Sequence, residues 1–361
     1  MSAARPKVGI VVTSAGRRRY FFAKDVERME RYAEVAWLEL DGPDRVFGPP
    51  ADDPALTARV TEFVRDLDAL VVSYGAPRIT DEVMAAAPRL RMIGDTHGDR
   101  FGFKVDVEAA HRRGIVVSDT TNGSSDPVAE WALALAMIGL RNAGALFRRI
   151  VAGELLWPDR TVFLDDPGYL RGELTGKTVG LIALGNIGRR LLELLRPFHV
   201  RVLASDPGAP DVLANAYDID LTSLDVVLER SDVVICLVPL TQATTGLIGA
   251  EQIARMRPGT VFVNVSRGAV VDTGALIERL RRDDLIACLD VVEPEPLPID
   301  SPLRTMPNVF LSPHIAGVTD AAEPRFFEYM VDDVERVLAG VRPRYRLVPR
   351  ESGTTVRGLG S

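Results

Sequence analysis

Three residues with chemically useful side chains each follow a strand-like run in the last third of the sequence. Arg267 follows "VFVNVS", Glu295 lies five residues beyond the end of "IACLD", and His314 follows "NVFLSP". Ligand sites in open parallel sheets lie beyond the carboxyl ends of strands, so three such strands would bring these side chains to one region. An arginine can hold an anion with paired N–H bonds, and a histidine beside a carboxylate can transfer a proton. The pattern therefore predicts a catalytic group at one sheet edge.

Each of the three residues also has an ordinary structural explanation. Arg267 could form an ion pair, Glu295 could be a solvated loop carboxylate, and His314 could be a loop histidine whose hydrogen bonds are satisfied. These alternatives stay open for any one residue taken alone. The catalytic interpretation depends on the three belonging to a nucleotide-binding unit, which an earlier segment of the chain predicts.

The segment "GLIALGNIG", Gly180 to Gly188, is similar to the phosphate-binding turn G-x-G-x-x-G, and it lies between a strand-like run and a helical pattern. Gly185 would let the backbone approach a pyrophosphate, Gly188 would allow tight packing of helix on strand, and the helix N-terminus would attract negative charge. Ala183 replaces the first glycine, which is tolerable if its φ is negative. We expect a nucleotide site here rather than a plain tight turn.

The next strand-like run, "VRVLASD", ends in Asp206, eighteen residues beyond Gly188. A carboxylate at this position can accept hydrogen bonds from both ribose hydroxyls of NAD and would repel the 2′-phosphate of NADP. The following "PGAP" contains no Arg or Lys that would reverse this preference. Asp206 could also begin a turn before Pro207, and the two roles can coexist. The sequence predicts NAD as the cofactor and predicts no metal.

Apolar runs alternate with helical patterns along nearly the whole chain and must form the elements that position these residues. Five runs occur within 7–119 and six within 177–313, and buried parallel strands have this composition. Two such series predict two doubly wound α/β domains. We expect one long helix beginning near Ser125 to connect the domains, and a helix after residue 318 to return to the first domain. The polar tail from Val341 is expected to be a frayed terminus rather than an ordered arm on a partner subunit.

The composition is that of an ordinary globular protein. The 361 residues are 47% hydrophobic and 26% charged, with a net charge of −7, which gives no general attraction to nucleic acid or to an anionic membrane. No apolar run reaches the roughly 20 residues that span a bilayer, and no signal-peptide core precedes the first strand-like run. Cys236 and Cys288 lie in apolar runs and are expected to be reduced core residues of a cytoplasmic protein.

Taken together, eight segments resemble the D-isomer-specific 2-hydroxyacid dehydrogenase family. They fall within residues 88–317, in family order: "PRLRMIG", "VDVEAAHRRGIVVSD", "VAEWALAL", "LTGKTVGLIALGNIGRRL", "VPLTQATTGLIG", "MRPGTVFVNVSRGAVVDTGAL", "ACLDVVEPEPLP" and "NVFLSPHIAG". The resemblance implies a flavodoxin-like substrate domain split between 1–124 and 318–361, with a Rossmann NAD-binding domain at 125–317 inserted into it. It also implies a homodimer.

The resemblance further implies hydride transfer between NAD and a small anionic 2-hydroxy or 2-oxo acid. Arg267 would hold the acid, and His314, oriented by Glu295, would exchange a proton with the reacting oxygen. Asp290 is similar to the family residue that contacts the nicotinamide carboxamide. The implied cofactor-binding residues are Ala183, Gly185, Asn186, Ile187, Gly188, Asp206, Pro239, Thr245, Val265, Ser266, Asp290 and Gly317.

On the substrate side, "VSYGAP" is similar to the family loop whose backbone amides contact the substrate carboxylate, although a plain turn explains Gly75 equally well. The implied residues are Ser73, Tyr74, Gly75 and Ala76. The stretch "GDTHGDRFGFKVD" departs from the short Gly-rich segment of many family members, as do Ala183 and Leu237 from the residues usual at their positions. We expect the polar side chains of His97 and Arg100, in this stretch, to lie near the distal end of the substrate. The alternative is that the stretch is a surface turn.

Two other functions remain open at this stage. The protein could oxidise another anionic alcohol, such as a phosphonate or phosphate ester, with Arg100, Arg160 or Arg171 supplying charge. It could instead be a non-catalytic NAD(H)-sensing protein, because some relatives of this family act as transcriptional corepressors. Turnover of NADH with 2-oxo acids would separate an enzyme from a sensor.

Overall fold

The computed structural model describes residues 5–42, 50, 52–97, 104–157, 166, 172–349 and 356–357, the last pair by its backbone alone. Arg100, Arg160 and Arg171 lie outside the described residues. The contacts divide the chain into two compact units, one formed by residues from 1–124 and 320–361 and the other by 125–319. Each unit is built on a seven-stranded sheet.

Strands and helices are numbered separately along the described part of the chain. The strands are β1 Lys7–Thr13, β2 Glu34–Leu40, β3 Ala69–Val72, β4 Met92–Asp95, β5 Val116–Asp119, β6 Thr178–Ile182, β7 Arg201–Ser205, β8 Asp220–Leu221, β9 Val233–Cys236, β10 Thr260–Asn264, β11 Leu285–Leu289, β12 Val309–Leu311, β13 Arg346–Val348 and β14 Val356–Arg357. The helices are α1 Ser14–Tyr20, α2 Ala23–Glu30, α3 Pro54–Phe63, α4 Asp81–Ala85, α5 Val107–Arg112, α6 Ser125–Leu140, α7 Ala143–Val151, α8 Asn186–Leu195, α9 Val212–Tyr217, α10 Leu224–Arg230, α11 Ala250–Arg255, α12 Thr273–Leu280 and α13 Glu323–Leu338.

In the first unit, five parallel strands lie in the order β2-β1-β3-β4-β5, and β13 and β14 extend the β5 edge as antiparallel strands. The parallel part has the strand order of flavodoxin-like sheets. Strands β3 and β4 are buried along their whole length, because elements pack on both faces of a doubly wound sheet. One buried cluster contains Ile10 and Met330, and another contains Leu70 and Ile93. The predicted flavodoxin-like fold is confirmed.

In the second unit, all seven strands are parallel and lie in the order β8-β7-β6-β9-β10-β11-β12. The first six strands in this order have the arrangement of a Rossmann fold. The chain adds strands outward from β6 through β7 to β8 and then returns to add β9 on the other side of β6. Buried clusters lie around Leu181 and Val263 and around Phe262 and Val234. The predicted Rossmann fold is confirmed, and its topological switch point lies beside the glycine turn that follows β6.

The long helix expected from Ser125 is two helices, α6 and α7. Asn142 lies between them with a φ of 48°, in the left-handed region, and its amide donates to the carbonyl of Gly139 at 3.0 Å. Asparagine is one of the few residues that visits this region routinely, so the apolar pattern continues while the helix is interrupted. On α7, Arg148 donates to the backbone carbonyls of Val309, the first residue of β12, and of Met306 just before it. The expectation of one continuous helix is wrong.

The tail is ordered through residues 341–349. Strand β13 pairs with β5, and Leu347 is buried. Asp333 on α13 is buried and accepts hydrogen bonds from the amides of Arg344 at 2.7 Å and Tyr345 at 3.0 Å. A buried carboxylate requires such donors, so these bonds fix the chain just before β13. The expectation of a frayed terminus is therefore wrong for these residues. The sequence did not indicate the strand, because three residues are too few to show a periodic pattern.

Candidate active site

The residues predicted to be catalytic follow three neighbouring strands of the second unit. Arg267 lies beyond the end of β10, Glu295 lies on the loop after β11, and His314 lies on the loop after β12. Because β10, β11 and β12 are adjacent and parallel, their carboxyl ends share one edge of the sheet. The structure brings His314 and Glu295 into direct contact, and it places Arg267 at the same edge.

The contact between His314 and Glu295 is a hydrogen bond. Nδ1 of His314 lies 2.9 Å from Oε1 of Glu295, and both side chains are partly exposed. A carboxylate at this distance holds the ring proton on Nδ1 and orients the imidazole. Any proton exchanged with a bound molecule would therefore pass through Nε2. The pair has the geometry of an oriented general acid–base group.

His314 has a strained backbone conformation. Its φ is 55°, and its amide donates to the carbonyl of Asp290 at 2.9 Å. Histidine enters the left-handed region more readily than most residues, but such a conformation persists only where neighbouring groups enforce it. The next two amides, those of Ile315 and Ala316, donate to the carboxylate of Asp290 at 3.1 and 3.0 Å. These bonds fix the loop after β12 to the end of β11.

Asp290 directly follows β11 and is almost completely buried. Besides the two amides, its carboxylate accepts hydrogen bonds from the side chains of Trp131 and Ser312. Both carboxylate oxygens therefore have donors from the chain itself. The observed role of Asp290 is to hold the loop that carries His314, while its contact with a nicotinamide stays a prediction.

The turn that carries Arg267 lies against the loop that carries Glu295. The side-chain amide of Asn264 donates to the carbonyl of Arg267 at 3.2 Å. The next residue must be glycine, because a Cβ at Gly268 would overlap the backbone of Val292 and Glu293. Without that atom, the turn after β10 packs backbone to backbone on the loop after β11. This contact fixes the backbone from which the Arg267 side chain extends.

The turn after β6 has the open geometry that a pyrophosphate requires. Gly185 caps α8 without a side-chain hydrogen bond, and a Cβ there would meet no described atom within 4 Å. A Cβ at Gly188 would lie 2.9 Å from the carbonyl oxygen of Ala183, so close approach of helix and turn favours glycine. Asn186 and Ile187 begin α8, whose N-terminal amides and dipole favour an anion. These residues fit the phosphates of a dinucleotide.

Ala183 does not have the expected negative φ. Its φ is 81°, and its amide donates to the carbonyl of Ser205 at 2.9 Å, which joins the end of β6 to β7. Glycine adopts this conformation freely, whereas the alanine methyl group makes it strained. The turn thus keeps the backbone of a glycine with an alanine in place. The expectation of an unstrained replacement is wrong.

Asp206 directly follows β7 and connects this strand to the glycine turn. Its Oδ2 accepts a hydrogen bond from the amide of Leu184, and its Oδ1 accepts one from the amide of Gly208, both at 2.8 Å. The side chain is only partly buried. The two bonds fix the carboxylate at the strand end where a ribose is expected in this fold. The turn considered as an alternative is present and is compatible with a binding role.

The remaining residues implied for the cofactor also lie beyond strand ends of the second sheet. Pro239 follows β9, Val265 and Ser266 follow β10, and Gly317 follows β12. Thr245 lies on the loop after β9, where its hydroxyl donates to a backbone carbonyl at 2.9 Å. All of them therefore lie on the side of the sheet that carries the glycine turn and the His314–Glu295 pair.

The residues implied for the substrate carboxylate follow β3 of the first unit. Ser73 and Ala76 are buried, and the carbonyl of Tyr74 accepts a hydrogen bond from the amide of Thr13 at 3.3 Å. Gly75 has a φ of 78°, a conformation that glycine adopts without strain. The amides of Ser73 and Ala76 donate to the carbonyls of Val11 at 3.0 Å and of Ser73 at 3.4 Å, so two of the four implied amides already have partners within the chain.

His97 follows β4 and is not the exposed donor that the sequence predicts. Its Nδ1 lies 3.1 Å from the hydroxyl oxygen of Ser73 and 2.9 Å from that of Thr96. Its ring packs on Tyr20 and Tyr74, each with ring centres 4.4 Å apart. Burial, reinforced by nearby positive charges, lowers the pKa of His97 well below its usual range, so the ring is neutral. His97 supports the loop after β3 instead of presenting a charge.

Sequence reasoning missed two kinds of supporting residue. Trp131 lies in an apolar helical pattern that gives no sign of its contact with the loop after β12. Lys104 donates to the carbonyl of His97 at 2.9 Å and pairs with Asp95 at 3.2 Å, although its position in the sequence marks only a polar loop. The partner of Trp131 is far away in the sequence, and the partner of Lys104 is a backbone carbonyl whose position depends on the fold.

No helix in the described ranges is long and apolar enough to cross a membrane. Within the same residues, no group of three or more His, Cys, Asp or Glu side chains is placed so that it could hold a metal ion.

We expect Ala183→Gly to raise the melting temperature. Relief of a strained φ is worth about 1–3 kcal/mol, which exceeds the roughly 0.4–1 kcal/mol lost through the greater freedom of the unfolded chain. The same change at the buried Ala204 of β7, which has no positive φ, should lower the melting temperature. The melting temperatures of both variants are measured by calorimetry. If both melting temperatures fell equally, Ala183 would not be strained.

Comparisons with known proteins agree with this architecture. A sequence profile described as D-isomer specific 2-hydroxyacid dehydrogenase, NAD binding domain, matches residues 133–316. A glyoxylate reductase of Thermofilum pendens is 36% identical over 302 residues, which cover 83% of this chain and 87% of that protein. A D-3-phosphoglycerate dehydrogenase of Methanocaldococcus jannaschii is 35% identical over 77% of this chain, but the match covers only 51% of that protein. The chain thus spans about half the length of that relative.

A solved structure extends the likeness to nearly the whole chain. The PH0520 protein of Pyrococcus horikoshii aligns over 95% of both chains, with a TM-score of 0.78 and 27% identity. The profile covers half of this chain, and the Thermofilum relative exceeds 30% identity over most of it. The chain therefore belongs to the D-isomer specific 2-hydroxyacid dehydrogenase family, a family of oxidoreductases, and carries its NAD-binding domain.

Proposed function

We propose that this protein transfers a hydride between NAD and a small anionic 2-hydroxy or 2-oxo acid. The observation that carries the proposal is the 2.9 Å contact between Nδ1 of His314 and Oε1 of Glu295. It lies at the same sheet edge as a turn shaped for a dinucleotide, within a domain whose family is known. Bound NADH would supply the hydride in reduction, and NAD would accept it in oxidation.

Three side chains have separate roles in the rest of the proposed reaction. In reduction, Nε2 of His314 gives its proton to the carbonyl oxygen while the adjacent carbon receives the hydride, and in oxidation the same nitrogen takes the hydroxyl proton. Glu295 keeps the imidazole oriented throughout. Arg267 pairs with the carboxylate of the acid and polarises the neighbouring carbonyl. The overall reduction consumes the oxo acid, NADH and one proton.

The cofactor is proposed to be NAD rather than NADP. The carboxylate of Asp206 is held by two backbone amides at the end of β7, so it cannot easily turn away from a ribose. A fixed negative charge there accepts ribose hydroxyls and repels a 2′-phosphate. Residues 207–211 contain no Arg or Lys that would offset the repulsion.

The substrate carboxylate is also proposed to meet the backbone amides of Ser73, Tyr74, Gly75 and Ala76. The left-handed turn at Gly75, beyond the carboxyl end of β3, supports this for the amide of Gly75, whereas the amides of Ser73 and Ala76 would have to leave the carbonyls of Val11 and Ser73. His97 would act by holding Ser73 in place, since its ring is neutral and enclosed. Arg100 stays a proposed contact for the distal end of the substrate.

A substrate screen tests the proposed reaction. Rates of NADH and NADPH oxidation should be measured with glyoxylate, pyruvate, hydroxypyruvate and bulkier 2-oxo acids, and rates of NAD reduction with hydroxyalkyl phosphonates. We expect turnover with at least one 2-oxo acid and at least tenfold higher kcat/KM with NADH. Binding of NADH without turnover would favour a sensor, faster phosphonate oxidation would favour the other alcohol class, and equal use of NADPH would refute the role of Asp206.

The catalytic roles predict different losses in two variants. His314→Ala should lower kcat by roughly 10²-fold or more, the usual scale of acid–base help, while the NADH dissociation constant stays within about twofold. Arg267→Ala should both raise KM and lower kcat, because it removes the carboxylate partner. His111→Ala, the same change at an exposed histidine of the first unit, is the control. Near-full activity in His314→Ala would exclude its role in proton transfer.

We also propose that the protein is a homodimer that associates through α6, α7 and the residues after them. Large apolar side chains are exposed close together there: Met137, Phe147, Ile150, Val151 and Leu155. The neighbouring arginines bond to their own chain, Arg148 to backbone carbonyls and Arg149 to Glu154, so their charges are engaged within one copy. An exposed apolar patch of this kind is typical of a protein interface, and a second copy can cover it symmetrically.

Light scattering at micromolar concentration should give twice the mass of one chain, about 79 kDa against the 39.4 kDa of a monomer. Phe147→Asp combined with Ile150→Asp should shift the mass to that of a monomer, because two charges would be buried without partners. Ile299→Asp, at an isolated apolar side chain that is 92% exposed, should leave the mass unchanged. A monomeric wild-type protein would reject the proposal.

A further inference from the structure

One tryptophan of α6 reaches the loop that carries His314. Nε1 of Trp131 lies 3.2 Å from Oδ1 of Asp290 and 3.1 Å from the hydroxyl oxygen of Ser312. The hydroxyl of Ser312 in turn donates to the same carboxylate oxygen at 2.5 Å. A single indole N–H is therefore shared between a carboxylate and the hydroxyl that bonds to it. Neither α6 nor this tryptophan has a part in the chemistry proposed above.

The carboxylate that receives these bonds holds both sides of the catalytic histidine. Ser312 precedes His314 by two residues, and the amides of Ile315 and Ala316 follow it and bond to the same carboxylate. Four donors thus converge on one buried side chain. Charge-assisted bonds of this kind are short and strong, and a shared network of them is stiffer than its members taken separately.

The loop needs such support because of its backbone. His314 has a φ of 55°, and a strained conformation of this kind relaxes wherever its surroundings allow it. A relaxed φ would swing the imidazole away from Glu295, since the side chain moves with the backbone that carries it. The bonds to Asp290 oppose this movement from both sides of the histidine.

We infer that Trp131 is a positioning residue for His314, acting through the Ser312–Asp290 pair. Its indole N–H restrains the carboxylate and the hydroxyl together, so that the loop keeps the backbone conformation in which Nδ1 meets Glu295. The inference deepens the proposed function and rests on it for its effect on turnover. The restraint itself concerns only the folded chain and can be measured without any substrate.

The test compares two variants that each remove one indole N–H from a carboxylate. Trp131→Phe keeps an aromatic ring on α6 and removes the donor to Asp290. Trp157→Phe makes the same chemical change where the indole donates to Asp166 at 3.0 Å, a carboxylate outside the Ser312–Asp290 pair. Hydrogen exchange of the amides in 312–316 is followed by mass spectrometry or NMR, because the Ile315 and Ala316 amides are themselves donors to Asp290.

In Trp131→Phe, we expect exchange in 312–316 to become at least fivefold faster. The kcat should fall by about five- to twentyfold, the scale expected when a hydrogen bond of about 1–2 kcal/mol is removed, with the NADH dissociation constant within about twofold of wild type. Trp157→Phe should leave exchange in this segment and kcat unchanged. Ser312→Ala should resemble Trp131→Phe, and the double variant should lose less than the product of the single losses, because both act on one network.

Unchanged exchange in 312–316 in Trp131→Phe would overturn the inference, as would equal effects of the two tryptophan changes on that segment. A loss confined to NADH affinity would also overturn it, because it would place Trp131 with the cofactor instead of the histidine. If the wild-type protein turns over no 2-oxo acid, the proposed function fails, and the exchange measurement still decides whether Trp131 restrains the loop. A faster-exchanging Trp131→Phe with normal kcat would refute the catalytic consequence.

Discussion

Because parallel strands all run in one direction, whatever follows each strand emerges at the same edge of the sheet, and the candidate site depends on this constraint. In the second unit, that edge receives the glycine turn from β6, Asp206 from β7, Arg267 from β10 and His314 from β12. No single loop contains the site. The loops are joined by a backbone contact at Gly268 and by the hydrogen bonds to Asp290, so the chemistry depends on cross-links between connections that are far apart in sequence.

Much of this arrangement could be predicted from local patterns. Fully buried strands read as continuous apolar runs, which gave nearly every strand of both sheets, and a glycine turn with an acid after the next strand gave the Rossmann topology. The strand ends predicted that His314 and Glu295 share one region, and their contact was implied by the family resemblance. The strands and the glycine turn could be predicted because each depends on residue types at fixed spacings along the chain.

The features that could not be predicted depend on neighbours that only the fold supplies. The φ of Ala183 is set by a hydrogen bond to the adjacent strand, and the neutral state of His97 is set by the aromatic rings that enclose it. Trp131 lies in an apolar pattern that describes its helix but not its indole N–H. The strand β13 is too short for any periodic signal, and its order comes from donors to the buried Asp333.

The way the first unit is assembled from both ends of the chain has a consequence for biosynthesis. Its buried core includes Phe327, Met330 and Leu347, residues that are made only after the second unit. The second unit is continuous in sequence from 125 to 319, so its core is complete before those residues are made. Because domains generally fold as units during synthesis, the second unit can acquire its fold before the first unit. The apolar strands within residues 5–124 stay uncovered until α13 and β13 have been made, and apolar surface exposed in this way is prone to aggregation.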